Sequence, residues 1–234
     1  MSIGALLIGV FFMIVGMIVS GRLKSKFQKY SEIHLQRDFT GAEIARLMLT
    51  DSGIHDVQVI SVQGQLTDHY NPANKTVNLS EAVYYGRNAA AAAVASHECG
   101  HAVQHAKAYS MLQLRSAMAP IQSVSANVLN FIFMIMMFGG FFAQSILSWN
   151  TALLVMIACY GVFAAFALIT LPVEFDASKR ALAWIENRNI VTPKEHDMAK
   201  DALKWAAMTY VVAAIGAVTT LLYYVMMFLG RRDE

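Results

Sequence analysis

Residues 97–101 read H-E-C-G-H, and a third histidine, His105, follows one turn later. On an α-helix His97 and His101 are four residues apart, so their imidazoles share one face and can reach a single metal ion. Glu98 is turned about 100° from His97, near enough to contact a water on that ion without being a ligand. Zn2+ suits this donor set: it takes imidazole and carboxylate oxygen and keeps a position open at catalytic sites. Zinc lowers the pKa of its water to about 7, so Glu98 can take the proton as hydroxide attacks a carbonyl. The same glutamic acid can then protonate the departing amine. For a chain holding 7 His, chance would produce the pattern roughly 0.007 times. A catalytic zinc needs a third protein ligand. His105 is badly placed, because its Cα lies about 12 Å from that of His97 along a continuous helix axis. A carboxylate from elsewhere in the chain remains.

The helix that must carry these residues is expected over about 87–108. It opens on the run Ala89–Ala93, whose small side chains favour helix and allow close packing on every side. Only nine uncharged residues separate Arg87 from His97, so this helix is no membrane span and the site no intramembrane one. The surroundings are different. The chain has 234 residues, is 56% hydrophobic and 15% charged, and has a mean hydropathy of +0.45. Ile3–Val19 holds no polar side chain, and neither Ser116–Val173 nor Trp205–Gly230 holds a charge or a histidine. These windows predict four transmembrane helices near 3–20, 124–147, 151–171 and 206–229, with the long run broken at Ser148–Thr151 beside an interfacial Trp149. The first is an anchor and not a signal peptide, since its basic residues Arg22, Lys24, Lys26 and Lys29 follow the apolar stretch.

Segments 21–120 and 172–204 then share one side of the membrane, and of the 18 Lys and Arg residues only Arg231 and Arg232 lie on the other. The positive-inside rule makes both segments cytoplasmic, and the sequons at Asn74 and Asn78 are chance matches. Cys99 and Cys159 read as buried thiols. A net charge of +2 says little about partners, and no basic–aromatic patch points to nucleic acid, so none is expected. No predicted span carries Asp, Glu or His to relay an ion, which argues against a transporter.

Within 21–120, Thr40 and Glu43 form a capping box for an amphipathic helix that ends near Gly53. Val57–Val62 reads as a strand. Leu66–Tyr70 and Lys75–Leu79 flank the turn Asn71–Asn74 as a hairpin, and Lys75–Leu79 is the expected edge strand for a peptide substrate. After Leu171-Pro172 a new helix is expected to about Arg188. Thr192, Pro193 and Glu195 start another that runs into the fourth span.

H-E-C-G-H at 97–101 together with E-F-D-A-S at 174–178 resembles the gluzincin arrangement, in which a second helix supplies a glutamate ligand. The layout is distantly similar to that of HtpX-like membrane peptidases. Along nearly the whole chain, including D-H-Y-N-P and K-T-V-N-L-S, it resembles the YugP-type family of membrane zinc metallopeptidases. The resemblance implies that Glu174 is the third ligand, with Asp176 as its competitor. It departs from the HtpX-like pattern at Ser178, where an Asp is expected, and this leaves open what supports the ligand histidines. With Glu174 two residues past Pro172, chain reach would keep the zinc within about 10 Å of the membrane surface. His196 and Tyr210 both carry donors suited to stabilising an oxyanion, and the sequence does not choose between them.

The expectation is therefore a mainly α integral membrane protein of a bacterial cytoplasmic membrane. Residues 1–21 would form an anchor, 22–116 a small α+β zincin-like cytoplasmic domain and 117–171 a transmembrane hairpin. Residues 172–205 would form cytoplasmic helices bearing the third ligand, and 206–234 the last span and tail. It would be a zinc endopeptidase acting on membrane-proximal protein substrates. The competing reading is a zinc-binding scaffold or chaperone-like pseudo-peptidase, which would have no use for Glu98. Oligomeric state is not legible.

Overall fold

The computed structural model describes residues 3–138 and 148–230. The elements in chain order are α1 (Ile3–Ser31), α2 (Gly41–Asp51), β1 (Gln58–Val62), β2 (His69–Asn71), β3 (Thr76–Ser80), α3 (Glu81–Tyr84), α4 (Ala89–Ala106), α5 (Ser110–Phe138), α6 (Trp149–Asn187) and α7 (Pro193–Gly230). Helices α1, α5, α6 and α7 are long and apolar enough to cross a membrane. Part of the second expected span, 139–147, lies outside the described residues.

Two compact units partition the chain. One comprises residues 1–16, 114–171 and 210–234. Its helices meet through small residues and rings: Phe12 lies against Gly216, Tyr223 against Gly4, and Tyr160 stacks on Tyr224 at 5.0 Å.

The other unit comprises residues 17–113 and 172–209 and is built around α4. Ala89–Ala93 are wholly buried, as are Ala95 and Cys99. Helix α2 packs on α4 through Ala45, Met48 and Leu49, and the sheet does so through Val77 and Leu79. The parts of α6 and α7 in this unit cover α4 with Ala181, Ile185, Ala199 and Leu203. A helix touched on every side needs small side chains, which is why the alanines are there. Asn88 caps it, accepting from the Ala91 N–H at 2.9 Å. The capping box at Thr40 and Glu43 is present on α2, and Thr192 with Glu195 forms one for α7. The basic extension of α1 is fastened to α7 by Asp201, which accepts from Tyr30 at 2.6 Å and pairs with Lys26 at 2.7 Å.

Two expectations are corrected. Pro172 does not end a helix, since α6 runs through it from Trp149 to Asn187. Proline forfeits one backbone hydrogen bond, here to the Leu168 carbonyl. Burial of Val173, Glu174, Ala177 and Ala181 on the following turns holds the helix together. The second correction concerns the sheet, whose order is β1-β3-β2. Strand β3 pairs in parallel with β1 and antiparallel with β2, and all five of its residues are buried. Lys75–Leu79 is thus the centre of the sheet and offers no free edge to a substrate. The hairpin itself forms as expected. Its turn is set by the Ala73 N–H on Asn71 Oδ1 at 2.9 Å, by the Thr76 hydroxyl on Asn74 Oδ1 at 2.6 Å and by Lys75 at φ 53°.

Candidate metal centre

His97 and His101 project from one face of α4 with ring centroids 4.8 Å apart. Glu174, from the neighbouring turn of α6, points its carboxylate between them. Its Oε2 is 3.4 Å from His97 Nε2 and 3.6 Å from His101 Nε2. All three donor atoms lie within 4.8 Å of one another. Metal–ligand bonds of about 2.0–2.1 Å in a tetrahedron put neighbouring ligand atoms about 3.3 Å apart, so the site fits a zinc ion. Burial alone would push the Glu174 carboxyl up; contacts with His101 and then His97 outweigh it and hold the group well below the usual carboxylate range. Burial likewise works against protonated His101, but the Glu174 contact and the charges of Glu98 and Glu174 raise its pKa overall. A compact divalent cation answers that concentration of negative charge.

The approach of α6 depends on Gly100. A Cβ placed there would lie 2.6 Å from the Ala177 carbonyl oxygen, so the two backbones touch at that point. Gly100 is three residues from His97 and one from His101 on the face that meets α6.

The outer nitrogens of both imidazoles are engaged. His97 Nδ1 is 3.2 Å from the Ser178 hydroxyl. His101 Nδ1 is 3.1 Å from Gln104 Oε1, and the Gln104 amide donates to the Val173 carbonyl at 2.7 Å and to Asp176 Oδ2 at 2.8 Å. Asp176 also accepts from Arg180 Nε at 2.6 Å. Ser178 thus contacts one of the candidate ligand histidines, and Asp176 faces Gln104 and lies outside the candidate cluster. Among the described residues the cluster consists of His97, His101 and Glu174. His105 is not part of it and bonds the Tyr70 hydroxyl at 2.8 Å. His196 faces Glu186 at 3.8 Å, beside the cleft lined by Lys179 and Lys200. Tyr210 belongs to the other unit.

Glu98 is 8% exposed, and its Oε2 accepts the backbone N–H of Tyr70, in β2, at 3.0 Å. Strand β2 is held next to this carboxylate by Asp68, which accepts from the Ser80 N–H at 2.7 Å and from the Ser80 hydroxyl at 3.1 Å. Sequence reasoning did not single out Tyr70, Asp68 or Gln104. The D-H-Y stretch was the visible signal for the first two.

The chain belongs to the family described as "Putative neutral zinc metallopeptidase", whose sequence model matches residues 5–229. Among individual proteins it is 42% identical, over 213 residues and 91% of both chains, to the "Putative membrane protease YugP" of Bacillus subtilis (strain 168). No solved structure matches it.

The geometry separates the candidate ligands. Glu174→Ala should strip zinc from the purified protein, whereas His105→Ala should leave about one zinc per chain, as read by metal analysis; the opposite pattern would refute the ligand set. Gly100→Ala should weaken zinc binding without touching any ligand, because overpacking a tight contact costs about 1–3 kcal/mol. Chelator competition would register this as a loss of about tenfold or more, and an unchanged affinity would show that the Gly100–Ala177 contact is not what sets the ligand distances.

Proposed function

We propose that this protein is a membrane-anchored zinc endopeptidase, with Glu98 as general base and with membrane-proximal segments of other proteins as substrates. The observation that carries the reading is the convergence of His97, His101 and Glu174 at zinc-like spacing beside a buried Glu98. Bound zinc would supply a Lewis acid that acidifies water and polarises the scissile carbonyl. The chain's own residues do the rest. Glu98, next to His97 in sequence, is turned away from the ligand positions and remains available to take a proton from the attacking water. The Tyr70 N–H holds its Oε2, leaving Oε1 as the atom that moves the proton to the leaving amine. A structural zinc site would close all four positions with protein atoms, and the three donors found here leave room for water and substrate.

Anchoring decides where such an enzyme works. Glu174 directly follows the uncharged run Ser116–Val173, and by chain reach this keeps the centre close to the bilayer surface. The distribution of Lys and Arg supports a cytoplasmic active site in a bacterial inner membrane.

Zinc analysis and casein cleavage on detergent-purified wild type and Glu98→Gln test the chemistry. The variant should keep its zinc and lose about 10²–10⁴-fold in rate, as expected when a general base is removed. A zinc-loaded wild type that cleaves nothing would instead support the pseudo-peptidase reading. Orientation has its own check. In a background lacking Cys99 and Cys159, single cysteines at Asn74 and Asn189 should resist an impermeant thiol reagent in intact cells and react after lysis. Labelling of either one in intact cells would reverse the topology.

A further inference from the structure

We infer that Gln104 and Asp176 are positioning residues of the metal centre: the Gln104 amide turns the His101 ring so that its Nε2 lone pair faces the ion, and Asp176 fixes which way round that amide sits. The inference rests on the metal-binding reading above and adds to it the means by which the site is aimed.

Gln104 has no exposed surface. An amide so placed must satisfy its hydrogen bonds within the protein. Two acceptors from α6 surround its nitrogen, the Val173 carbonyl at 2.7 Å and Asp176 Oδ2 at 2.8 Å. Both can be served only if the NH2 points toward α6, and the amide oxygen then faces His101 Nδ1 at 3.1 Å. An amide oxygen accepts and cannot donate. The imidazole must therefore carry a proton on Nδ1, so that the neutral, metal-binding form of the ring has its lone pair on Nε2, the nitrogen 3.6 Å from the Glu174 carboxylate. The flipped amide would set its oxygen against two acceptors and its NH2 against Nδ1. The ring proton would then move to Nε2, where it blocks metal binding.

Asp176 is itself held by Arg180 at 2.6 Å, so an unbroken chain of hydrogen bonds runs from Arg180 through Asp176 and Gln104 to His101. It joins α6 to α4, the two helices that bring the ligands. The support of His97 differs in kind. The Ser178 hydroxyl, 3.2 Å from Nδ1, can donate or accept and so does not by itself select a tautomer. The tautomer-selecting element of the centre is the Gln104 amide.

The test uses the full-length protein in detergent, with zinc affinity from chelator competition and the visible spectrum of the cobalt-substituted form. Gln104→Leu should weaken zinc by about 10–100-fold, the usual effect of removing a partner of a ligand histidine, and should shift the cobalt bands. Ser178→Ala should do less. Gln104→Glu keeps an acceptor for His101 but opposes Asp176, so it too should bind poorly. Combining it with Asp176→Asn replaces one of the two opposing acceptors with a donor, the Val173 carbonyl remaining, and should recover part of the affinity and move the cobalt spectrum back toward wild type. A purely structural amide would lower the thermal stability of the metal-free protein and leave the cobalt spectrum of the folded fraction unchanged. Wild-type affinity and spectrum in Gln104→Leu, or a double variant no better than Gln104→Glu alone, would overturn the inference. A wild type that binds no zinc is a separate outcome and would remove the metal reading itself.

Discussion

The candidate centre depends on one close contact between two helix backbones. At Gly100 the face of α4 that carries His97 and His101 meets the Ala177 carbonyl of α6 with no room for even a methyl group. A glutamate has a short reach, and its Oε2 must come within about 3.5 Å of two imidazole nitrogens that are fixed on another helix. Helices that pack through ordinary side chains stand about 8–10 Å apart; a glycine facing an alanine lets the two backbones touch. The close approach of Glu174 to His97 and His101 accompanies this contact. So does the ability of Gln104, with its wholly buried amide, to bond both the backbone and a side chain of α6.

Close contact at one point requires close packing elsewhere. Helix α4 has neighbours on every side, and its first half is almost entirely alanine, so α2, the sheet, α6 and α7 can all approach it. Burying so many alanines releases less hydrophobic energy than burying leucines would. What is gained is rigidity, because alanine has no rotamers to explore and fixing it costs no side-chain entropy. A catalytic constellation must be held to within a fraction of an ångström, and a helix seated this way has few means of shifting.

Much of this could be read from the sequence because the signals are local. The boxes at Thr40/Glu43 and Thr192/Glu195, the turn at Asn71–Lys75 and the helix carrying His97 and His101 each depend on residues a few positions apart. The features that escaped depend on residues far apart in the chain. Pro172 looks like a helix end by its own chemistry, yet the burial of Val173 and Glu174 overrides it. The strand order β1-β3-β2 follows from a parallel pairing of Gln58–Val62 with Thr76–Ser80 that no alternation pattern announces. Gln104 reads as an ordinary polar residue near the end of a helix. Its partners Val173 and Asp176 lie about seventy positions on. Ser178 looked like a loss relative to an expected aspartate, and only the geometry shows its hydroxyl on His97.

The bond from the Tyr70 N–H to Glu98 makes the hairpin turn a gauge for the chemistry. Backbone donors along a strand face alternate sides, so only every second residue of β2 can present its N–H to that carboxylate. Which one does so is fixed by the pairing of Tyr70 with Val77, and that pairing is fixed by the number of residues between Asn71 and Thr76. A chain longer by one residue in this loop that kept its sheet would slip β2 by one step and turn each of its side chains to the opposite face. The N–H offered to Glu98 would then belong to a neighbour of Tyr70, and the Tyr70 hydroxyl would leave His105. The length of this surface turn therefore decides which residue of β2 meets Glu98, although none of its own residues belongs to the cluster of His97, His101 and Glu174.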